Sequence, residues 1–470
     1  MTFSRQIAGL FVLGGLLIPQ TAPAQFEKAW DVSMGGSEID WLTVLRTVPG
    51  GGYIVGGYSE RFDGTDDNFR VARISPAGSV IWHKTYGSDD HHDQLFDIAA
   101  QSDGSFMLAG HSISDAGEDK SEDNIGQFDL WLLKVDAGGT RIMDKTIGAD
   151  QFDYLSAMRP TADGGFLLAG YSNSDVSGDR TAPSRGLWDY WIVRVDANGS
   201  NLWDRAYGGA NGDILRAMEI LPDGGFIFGG HSQSDVGGDK GQPSRGGNDY
   251  WVVRTDANGN LLWEQTYGGG SSDELHAIAL TPDGGFILGG DSYSDTGGEK
   301  SENARGLTDC WLIRIDANGN VLWDRTYGGT SYEFCRDIKP IPGGGYFVGA
   351  STLSPAGFEL SQAPIGDYDM WLLHIGEDGA PLRDQRIGGY DNDYFEDMLI
   401  VTQAVNTVLL SGRSNSTDGG DINRGSFGRD DFWSILMEGK FSIQGEVTGC
   451  LEDAIPARLV LYNDEMQPIA

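Results

Sequence analysis

The chain of 470 residues carries 69 acidic and 33 basic side chains, which gives a formal charge of −36. This charge repels phosphate backbones and anionic lipid headgroups, so it argues against nucleic acid as a partner and leaves basic proteins, neutral glycans and cations open. Three cysteines are too few for a disulfide-stabilised scaffold. Cys310 and Cys335 are expected to be buried thiols, although an oxidising compartment would also permit a bridge between them.

The N-terminal segment predicts export. Arg5 precedes an apolar run over residues 7–18, and Ala22-Pro23-Ala24 supplies the small residues that signal peptidase requires. We therefore predict a signal peptide over residues 1–24 and a location that is extracellular, at the cell surface or periplasmic. The apolar run is too short to span a bilayer and no other segment approaches that length, so the mature chain is predicted to lack a transmembrane segment.

From residue 26 onward the chain repeats a unit of about sixty residues seven times. The string Leu-Trp-x-x-x-Tyr-Gly-Gly surrounds Tyr207, Tyr267 and Tyr327, and weaker copies occur elsewhere. An acidic residue follows this string at a nearly fixed distance in every copy. These acids are Asp40, Asp93, Asp153, Asp213, Asp273, Glu333 and Asp393. Their regular recurrence favours a structural brace over seven catalytic acids.

Each copy contains four short runs of β-branched and aromatic residues, which predict four strands. Pro-Asp-Gly-Gly joins the first two runs and Asp-Ala-Asn-Gly-Asn the last two, and both sequences suit tight hairpin turns. Four antiparallel strands in each of seven copies predict an all-β fold, a seven-bladed β-propeller over residues 25–438. A parallel β-solenoid fits less well, because its coils are shorter and do not need two hairpin turns.

The two ends of the repeated region are out of phase with the repeat. Residues 26–34 match the fourth strand of the unit, and residues 432–437 match the third. We therefore predict that the N-terminal strand completes the last blade and closes the ring, which removes two open sheet edges. A single closed ring also predicts a monomer.

The Gly-Gly that ends the second strand, the aromatic strand after it and the fourth-strand Trp resemble the kelch-type propeller repeat. The fuller pattern of residues 249–269 resembles repeat arrays of secreted and cell-surface proteins of Gram-negative bacteria. This resemblance covers residues 26–438 and implies an architecture, not an activity. Residues 439–470 resemble the start of a carboxypeptidase-regulatory-like β domain, and we predict a partial domain or an extension there.

Turns in a meander alternate between two faces, so both short turns share one face and the long connections share the other. Long loops are where binding usually resides. The residue after the second-strand Gly-Gly varies between copies and is expected to point toward the long-loop face, and two loop aromatics lie outside the framework. The predicted ligand-binding residues are His111, Tyr171, Trp188, His231, Asp291, Phe358 and Arg413.

Four long loops carry two carboxylates four residues apart, which suggests Ca²⁺ as a cofactor. The alternative is that each Asp caps a turn through backbone amides, while the following Lys or Arg neutralises the second carboxylate. The carboxylates are Asp115, Asp119, Asp175, Asp179, Asp235, Asp239, Asp295 and Glu299.

No catalytic constellation is visible in the sequence. The leading hypothesis is a non-catalytic binding or surface-display propeller of the bacterial envelope, with a protein or glycan ligand on the long-loop face. One alternative is a structural spacer for a downstream domain. Another is an enzyme: Asp-Ala-Asn-Gly-Asn-x-Leu-Trp resembles the repeat of quinoprotein propellers, and a carboxylate pair for glycan chemistry stays open.

Overall fold

The computed structural model describes residues 26–60, 66–88, 91–401, 407–423, 425–439, 461–462 and 468–469. The predicted signal peptide and nearly all of the predicted C-terminal extension lie outside these residues. Phe26–Gly439 forms one compact unit, and all its described regular elements are strands. In the described part of the chain, no helix has the length and hydrophobicity that membrane crossing requires.

The strands follow one another around the ring in chain order. β1 (Phe26–Met34) precedes the first complete blade. Blade 1 contains β2 (Ile39–Thr47), β3 (Tyr53–Glu60), β4 (Asp67–Ile74) and β5 (Val80–Tyr86). Blade 2 contains β6 (Asp93–Ala100), β7 (Phe106–Ser112), β8 (Asp129–Val135) and β9 (Arg141–Ile147). Blade 3 contains β10 (Asp153–Pro160), β11 (Phe166–Ser172), β12 (Asp189–Val195) and β13 (Asn201–Tyr207). Blade 4 contains β14 (Asp213–Ile220), β15 (Phe226–Ser232), β16 (Asp249–Thr255) and β17 (Leu261–Tyr267).

The remaining blades have the same plan. Blade 5 contains β18 (Asp273–Leu280), β19 (Phe286–Ser292), β20 (Asp309–Ile315) and β21 (Val321–Tyr327). Blade 6 contains β22 (Glu333–Pro340), β23 (Tyr346–Thr352), β24 (Asp369–Ile375) and β25 (Pro381–Ile387). Blade 7 contains β26 (Asp393–Ile400), β27 (Thr407–Ser414), β28 (Asp431–Gly439) and β1. In a separate unit, β29 (Leu461–Tyr462) pairs antiparallel with β30 (Pro468–Ile469).

This arrangement confirms the predicted seven-bladed β-propeller and its closure by the N-terminal strand. β1 pairs antiparallel with β28, so that Phe26 lies opposite Gly439 and Met34 opposite Phe432. Trp30 of β1 also donates its indole N–H to the carbonyl of Pro76 in blade 1, at 3.2 Å. The first and last strands of the propeller therefore share one blade, and that blade is hydrogen-bonded to blade 1.

Large apolar side chains fill the space between blades. Every residue of β19 and β20 is buried, whereas the outermost strand β21 begins with exposed residues. The third-strand tryptophans are essentially fully buried, and Trp251 of blade 4 packs against Tyr190 of blade 3. The Tyr190 hydroxyl also donates to the carbonyl of Trp251, at 3.0 Å. Cys310 and Cys335 are buried free thiols in one such core.

A β-bulge in the innermost strand accounts for the second glycine of the second-strand Gly-Gly and shapes the central channel. In blade 4 the register shifts between Leu215 and Ala217, which turns Arg216 out of the ladder. The shift brings the carbonyl of Ile214 so close to β15 that a Cβ on Gly230 would lie 1.9 Å from it. A side chain at Gly230 would therefore clash, although blade 6 carries Ala350 opposite the equivalent bulge, and the bulged residue faces the channel.

A buried carboxylate at the start of each innermost strand joins neighbouring blades. Asp153 accepts hydrogen bonds from the Ala149 N–H of the incoming connection, at 2.7 Å, and from the Ser172 hydroxyl of its own blade. Its backbone N–H donates to the Phe128 carbonyl of the preceding blade, at 2.7 Å. Asp213 and Asp273 make the equivalent bonds, so the acids that recur in the sequence are indeed braces between blades.

Burial makes these braces sensitive to protonation. Burial raises the pKa of Asp153 to about 6, although the Ser172 and Ala149 hydrogen bonds oppose the shift. Burial likewise raises the pKa of Asp213 and Asp393 to about 6. Burial removes these carboxylates from water, and their hydrogen bonds to the protein remain.

We expect Asp153→Asn to change how stability depends on pH. Between the unfolded pKa, about 3.9, and the folded one, the folded protein holds a proton that the unfolded chain has released. This proton lowers the wild-type free energy of unfolding as the pH rises from 5 to 7.5. Over this range the free energy of unfolding of the variant should therefore rise by about 1 kcal/mol relative to that of the wild type. Chemical denaturation at each pH measures this gain, and Asp150→Asn, at an exposed acid nearby, should show none. A difference in the free energy of unfolding between Asp153→Asn and wild type that is the same at every pH would contradict the prediction.

Candidate functional site

The channel entrance on the long-loop face carries a band of aromatic side chains. They come from the beginnings of the innermost strands and the residue just before them, from the ends of the second strands and from the residues just before the third strands. We call this band the aromatic arc. Its members on blades 6 and 7 are Tyr332, Phe334, Tyr368 and Tyr394, and on blades 1 to 3 they are Trp41, Tyr58, Phe96, His111, Phe128, Phe152, Tyr154, Tyr171 and Trp188.

Successive rings in the aromatic arc are in contact or nearly so. Across blades 2 and 3, the ring centroids of His111 and Tyr154 are 4.8 Å apart, those of Tyr154 and Tyr171 are 5.1 Å apart, and those of Tyr171 and Trp188 are 5.6 Å apart. Tyr154, Tyr171 and Trp188 are only partly buried. Part of each ring therefore stays available to a ligand.

Arg413 joins the two halves of the aromatic arc. Its guanidinium carbon lies 3.8 Å from the ring centroid of Trp41 and 4.2 Å from that of Tyr394. Asp430 holds the same guanidinium through an ion pair of 2.8 Å. This clamp makes the aromatic arc continuous from blade 6 through blade 7 to blade 3.

Blades 4 and 5 interrupt the aromatic arc with polar and aliphatic residues. Ile214 and Glu274 stand where blades 1 and 3 carry Trp41 and Tyr154, and Asn248 stands where blade 3 carries Trp188. Asn248 donates to the Glu274 carboxylate at 2.7 Å. The entrance thus has an aromatic sector and a polar sector.

His111 is part of the aromatic arc, but it faces the next blade and not the long-loop face. It is only 3% exposed, and its ring accepts the Leu155 N–H at Nδ1, at 3.4 Å. The ring proton therefore lies on Nε2, where it is donated to Gln94 at 3.1 Å. Burial lowers the pKa of His111 to about 3, so the ring is neutral.

Two other predicted ligand-binding residues are also turned into the wall of the channel. Asp291 is 4% exposed and accepts the Cys335 N–H of blade 6, at 2.8 Å. Burial opposes ionisation of Asp291, but Arg336 and His276 outweigh it and lower the pKa. His231 is 6% exposed, and burial lowers its pKa to about 3. A second-strand end packs against the next blade, which is why these side chains do not reach the loop surface.

The remaining predictions fall in two places. Tyr171, Trp188 and Arg413 come together in the aromatic arc, as described above. Phe358 lies apart from them in the long loop of blade 6, with 66% of its side chain exposed and a φ of 51°. The Arg305 guanidinium covers one face of its ring, 5.0 Å from the centroid.

The paired carboxylates of the long loops have different surroundings. The first of each pair is exposed, and Asp175 accepts the backbone N–H groups of Val176 and Ser184 at 2.9 and 3.3 Å. The second is half-buried, and Glu299 accepts the Gly268 N–H at 3.2 Å and forms an ion pair with Arg245 at 2.7 Å. Within the described residues, no three His, Cys, Asp or Glu side chains converge as a metal site would require.

The basic residue after each carboxylate pair does not neutralise the loop carboxylate, as one interpretation of the sequence had it. Lys240 is 2% exposed, donates to the Thr266 hydroxyl at 2.7 Å and lies 5.8 Å from the Trp251 ring centroid. Its charge faces the buried acids Asp213 and Asp249, and these oppose the lowering of its pKa by burial. The cation belongs to the brace between blades.

Charged side chains form a chain of ion pairs around the channel wall below the aromatic arc. We call this chain the charged ring. It runs through five contacts: Lys339–Asp397 at 3.8 Å, Asp397–Arg46 at 2.8 Å, Arg46–Asp97 at 2.6 Å, Asp97–Arg159 at 3.0 Å and Arg159–Glu219 at 3.2 Å. It therefore passes from blade 6 through blades 7, 1, 2 and 3 to blade 4.

Sequence reasoning missed most of the aromatic arc and all of the charged ring. The charged ring and part of the aromatic arc are built from innermost-strand positions that differ between copies of the repeat. Aligning the seven copies would have shown Trp41, Tyr154, Phe334 and Tyr394 one residue after the recurring acid. Variation at that position is the signal that points to a site.

The fold and the channel entrance define the class: the protein is a seven-bladed β-propeller with an asymmetric, aromatic channel mouth. No protein-family model matches the chain. Among curated proteins it is similar to the regulatory protein FlaEY of Caulobacter vibrioides, with 26% identity over 232 residues. The match covers 47% of this chain and 22% of FlaEY, so this chain spans about a fifth of that relative.

Solved structures share the fold at low sequence identity. The WD40 domain of Pan2 from Neurospora crassa has a TM-score of 0.50 and 9% identity, with 91% of this chain and 99% of that chain covered. YCF48 bound to a D1 peptide has a TM-score of 0.46 and 11% identity, with 90% and 100% covered. The likeness to the Pan2 domain supports the propeller fold alone.

We expect millimolar Ca²⁺ or a chelator to leave the melting temperature unchanged. The second carboxylate of each loop already accepts a backbone N–H, and in Asp239 and Glu299 it also pairs with an arginine. Calcium would have to displace these partners. Thermal unfolding of the protein with CaCl2 and with EDTA tests this expectation. A rise in melting temperature with Ca²⁺ that disappears in Asp235→Asn would contradict it.

We expect His111→Gln to protect the protein at mildly acidic pH. Below pH 6.5 the unfolded chain protonates this histidine and the folded protein does not, so wild-type stability falls as the pH drops through that value. Glutamine does not titrate, so the free energy of unfolding of the variant should rise by about 2 kcal/mol relative to that of the wild type between pH 7.5 and 5. Denaturant titrations at both pH values provide the measurement. His83→Gln, at an exposed histidine, is the matched control, and an equal gain there would disprove the assignment to His111.

Proposed function

We propose that this protein is a non-catalytic binding propeller that captures a protein partner at the aromatic arc. The propeller fold fits a protein-binding or scaffold role. The aromatic arc carries the proposal, because the framework does not need it. The core tryptophans recur in six of the seven blades and are buried, whereas the rings of the aromatic arc occupy only part of the entrance and, apart from His111, stay partly exposed.

The chemistry of the aromatic arc favours a protein ligand. Tryptophan, tyrosine and arginine are the residues that dominate the energetics of protein interfaces. Trp188, Tyr154 and Tyr171 form a continuous patch with centroid separations of 5.1 to 5.8 Å, and Arg413 adds a rigidly held guanidinium. The rings already pack against one another, so little side-chain freedom is lost when a partner binds.

We place this function in the cell envelope. The support is the leader-like pattern of residues 1–24 and the resemblance to repeat arrays of secreted and cell-surface proteins. The FlaEY relative is named as a regulatory protein, and such a role is compatible with capture of another protein. The acidic surface would speed association with a basic partner.

Site-specific photocrosslinking tests the proposal in the cells that make the protein. A photoreactive amino acid replaces Tyr171 in the aromatic arc or, as a control, Leu262, which is 57% exposed on an outermost strand. We expect a discrete protein adduct from position 171 and none from position 262. A purely structural spacer would give no specific adduct at either position.

We expect Trp188→Ala combined with Tyr154→Ala to abolish that adduct. Loss of hot-spot residues typically costs about 2 kcal/mol or more, which is about thirtyfold in Kd. Tyr390→Ala removes an exposed aromatic residue of the same face outside the aromatic arc and is the matched control. Thermal unfolding confirms that each variant is folded. Binding to a glycan array that the double variant loses, without a protein adduct, would overturn the protein partner in favour of a glycan.

A further inference from the structure

The charged ring is open at blade 5. Its two ends are Glu219 on blade 4 and Lys339 on blade 6, and the positions of blade 5 that would connect them hold Ala277 and Ala279. These alanines contribute neither charge nor bulk. The central channel holds a cavity of about 350 Å³ that residues of all seven blades line, Ala277 among them.

Arg216 projects into this cavity from the β-bulge of blade 4. Its side chain is exposed, and it forms no hydrogen bond or ion pair with any residue that the structure describes. The other arginines that line the cavity, Arg46, Arg159 and Arg336, are each paired with a carboxylate. An arginine that faces a cavity without a partner is a ready ligand-binding group.

The acids Asp291 and Glu219 are paired with groups other than Arg216. Asp291 lies 2.9 Å from Arg336 and 3.2 Å from His276 and also accepts the Cys335 N–H. Glu219 lies 3.2 Å from Arg159. Neither of these acids, nor Glu396 on the blade 7 side of the same cavity, forms an ion pair with Arg216 within the described residues.

The cavity also adjoins the aromatic arc. Phe96 of the aromatic arc lines the same cavity as Arg216, and its ring centroid lies 4.7 Å from that of His111. A ligand that contacts the aromatic arc can therefore extend a polar group to Arg216. A cavity of this size admits an extended segment or a loop tip but not a folded domain.

We propose that the cavity beside Arg216 binds a carboxylate presented by an extended segment of the protein partner. The guanidinium matches a carboxylate in plane and can hold it through two parallel hydrogen bonds. This inference rests on the proposed protein-binding function and adds the chemistry of the segment: an aromatic or apolar side chain next to a carboxylate.

Three small peptides probe the site on the whole protein by ligand-observed NMR at moderate ionic strength. They are acetyl-tyrosyl-glycine with a free carboxylate, its C-terminal amide, and acetyl-tyrosyl-glutamyl amide. We expect the two carboxylates to bind and the neutral amide to bind at least about tenfold more weakly. The carboxylate peptide that binds more tightly shows whether the site prefers a chain end or an acidic side chain.

Arg216→Gln should weaken both carboxylate peptides by about tenfold or more and leave thermal unfolding unchanged. Arg325→Gln is the matched control, because Arg325 lies on an outermost strand and donates only to the carbonyl of Asp324, at 2.9 Å, within the described residues. Equal binding of the amide, binding unaffected by Arg216→Gln, no carboxylate binding to the wild type, or preference for inorganic phosphate would each overturn the inference. If position 171 gives no adduct while carboxylates still bind through Arg216, the proposed function fails and the anion site stands.

Discussion

Carboxylates buried at the joints between blades are the constraint on which the rest of this propeller depends. The acids of blades 2 to 7 accept hydrogen bonds from the incoming connection and from the second strand of their own blade, whereas Asp40 of blade 1 accepts from Ser59 and Arg70. In blades 2 to 5 a buried cation of the long loop lies near the acid. In blade 6 the loop residue is Leu360, and Arg386 on the outermost strand pairs instead with Asp369, at 3.1 Å. A loop or a strand can thus supply the positive charge, whereas in blade 7 the corresponding loop position holds the buried Ile422.

Because recurring residues fix the joints between blades, the residues that line the channel can differ from blade to blade. The second and fourth residues of a typical innermost strand lie at the entrance or on the channel wall, where no neighbouring backbone depends on them. Aromatic rings occupy these positions in one sector and polar groups in another. The asymmetry of the entrance therefore reflects positions that the framework leaves unconstrained, and such positions are where a symmetric fold can acquire one specific ligand.

The sequence was sufficient for the architecture and for part of the site. The number of blades, the hairpin turns and the pairing of β1 with β28 all follow from periodicity and turn chemistry, which are local properties. The orientation of His111, His231 and Asp291 could not be predicted in this way. Strand alternation fails at the bulge in each innermost strand, and the second-strand ends pack against that irregular segment. The partners of Lys240 likewise depend on distances between blades that no local pattern encodes.

The shared last blade has a consequence for how the molecule is made. β1 leaves the ribosome first among the described strands of the propeller, and its partner β28 leaves last. During most of synthesis β1 has no strand to pair with, and the growing stack of blades has an open sheet at each end. Closing a chain loop of this length adds only a modest entropic penalty to the folded state, but contacts so distant in sequence form slowly. Completion of the ring is thus a late event, and a nascent or truncated chain would present unpaired strand edges to its surroundings.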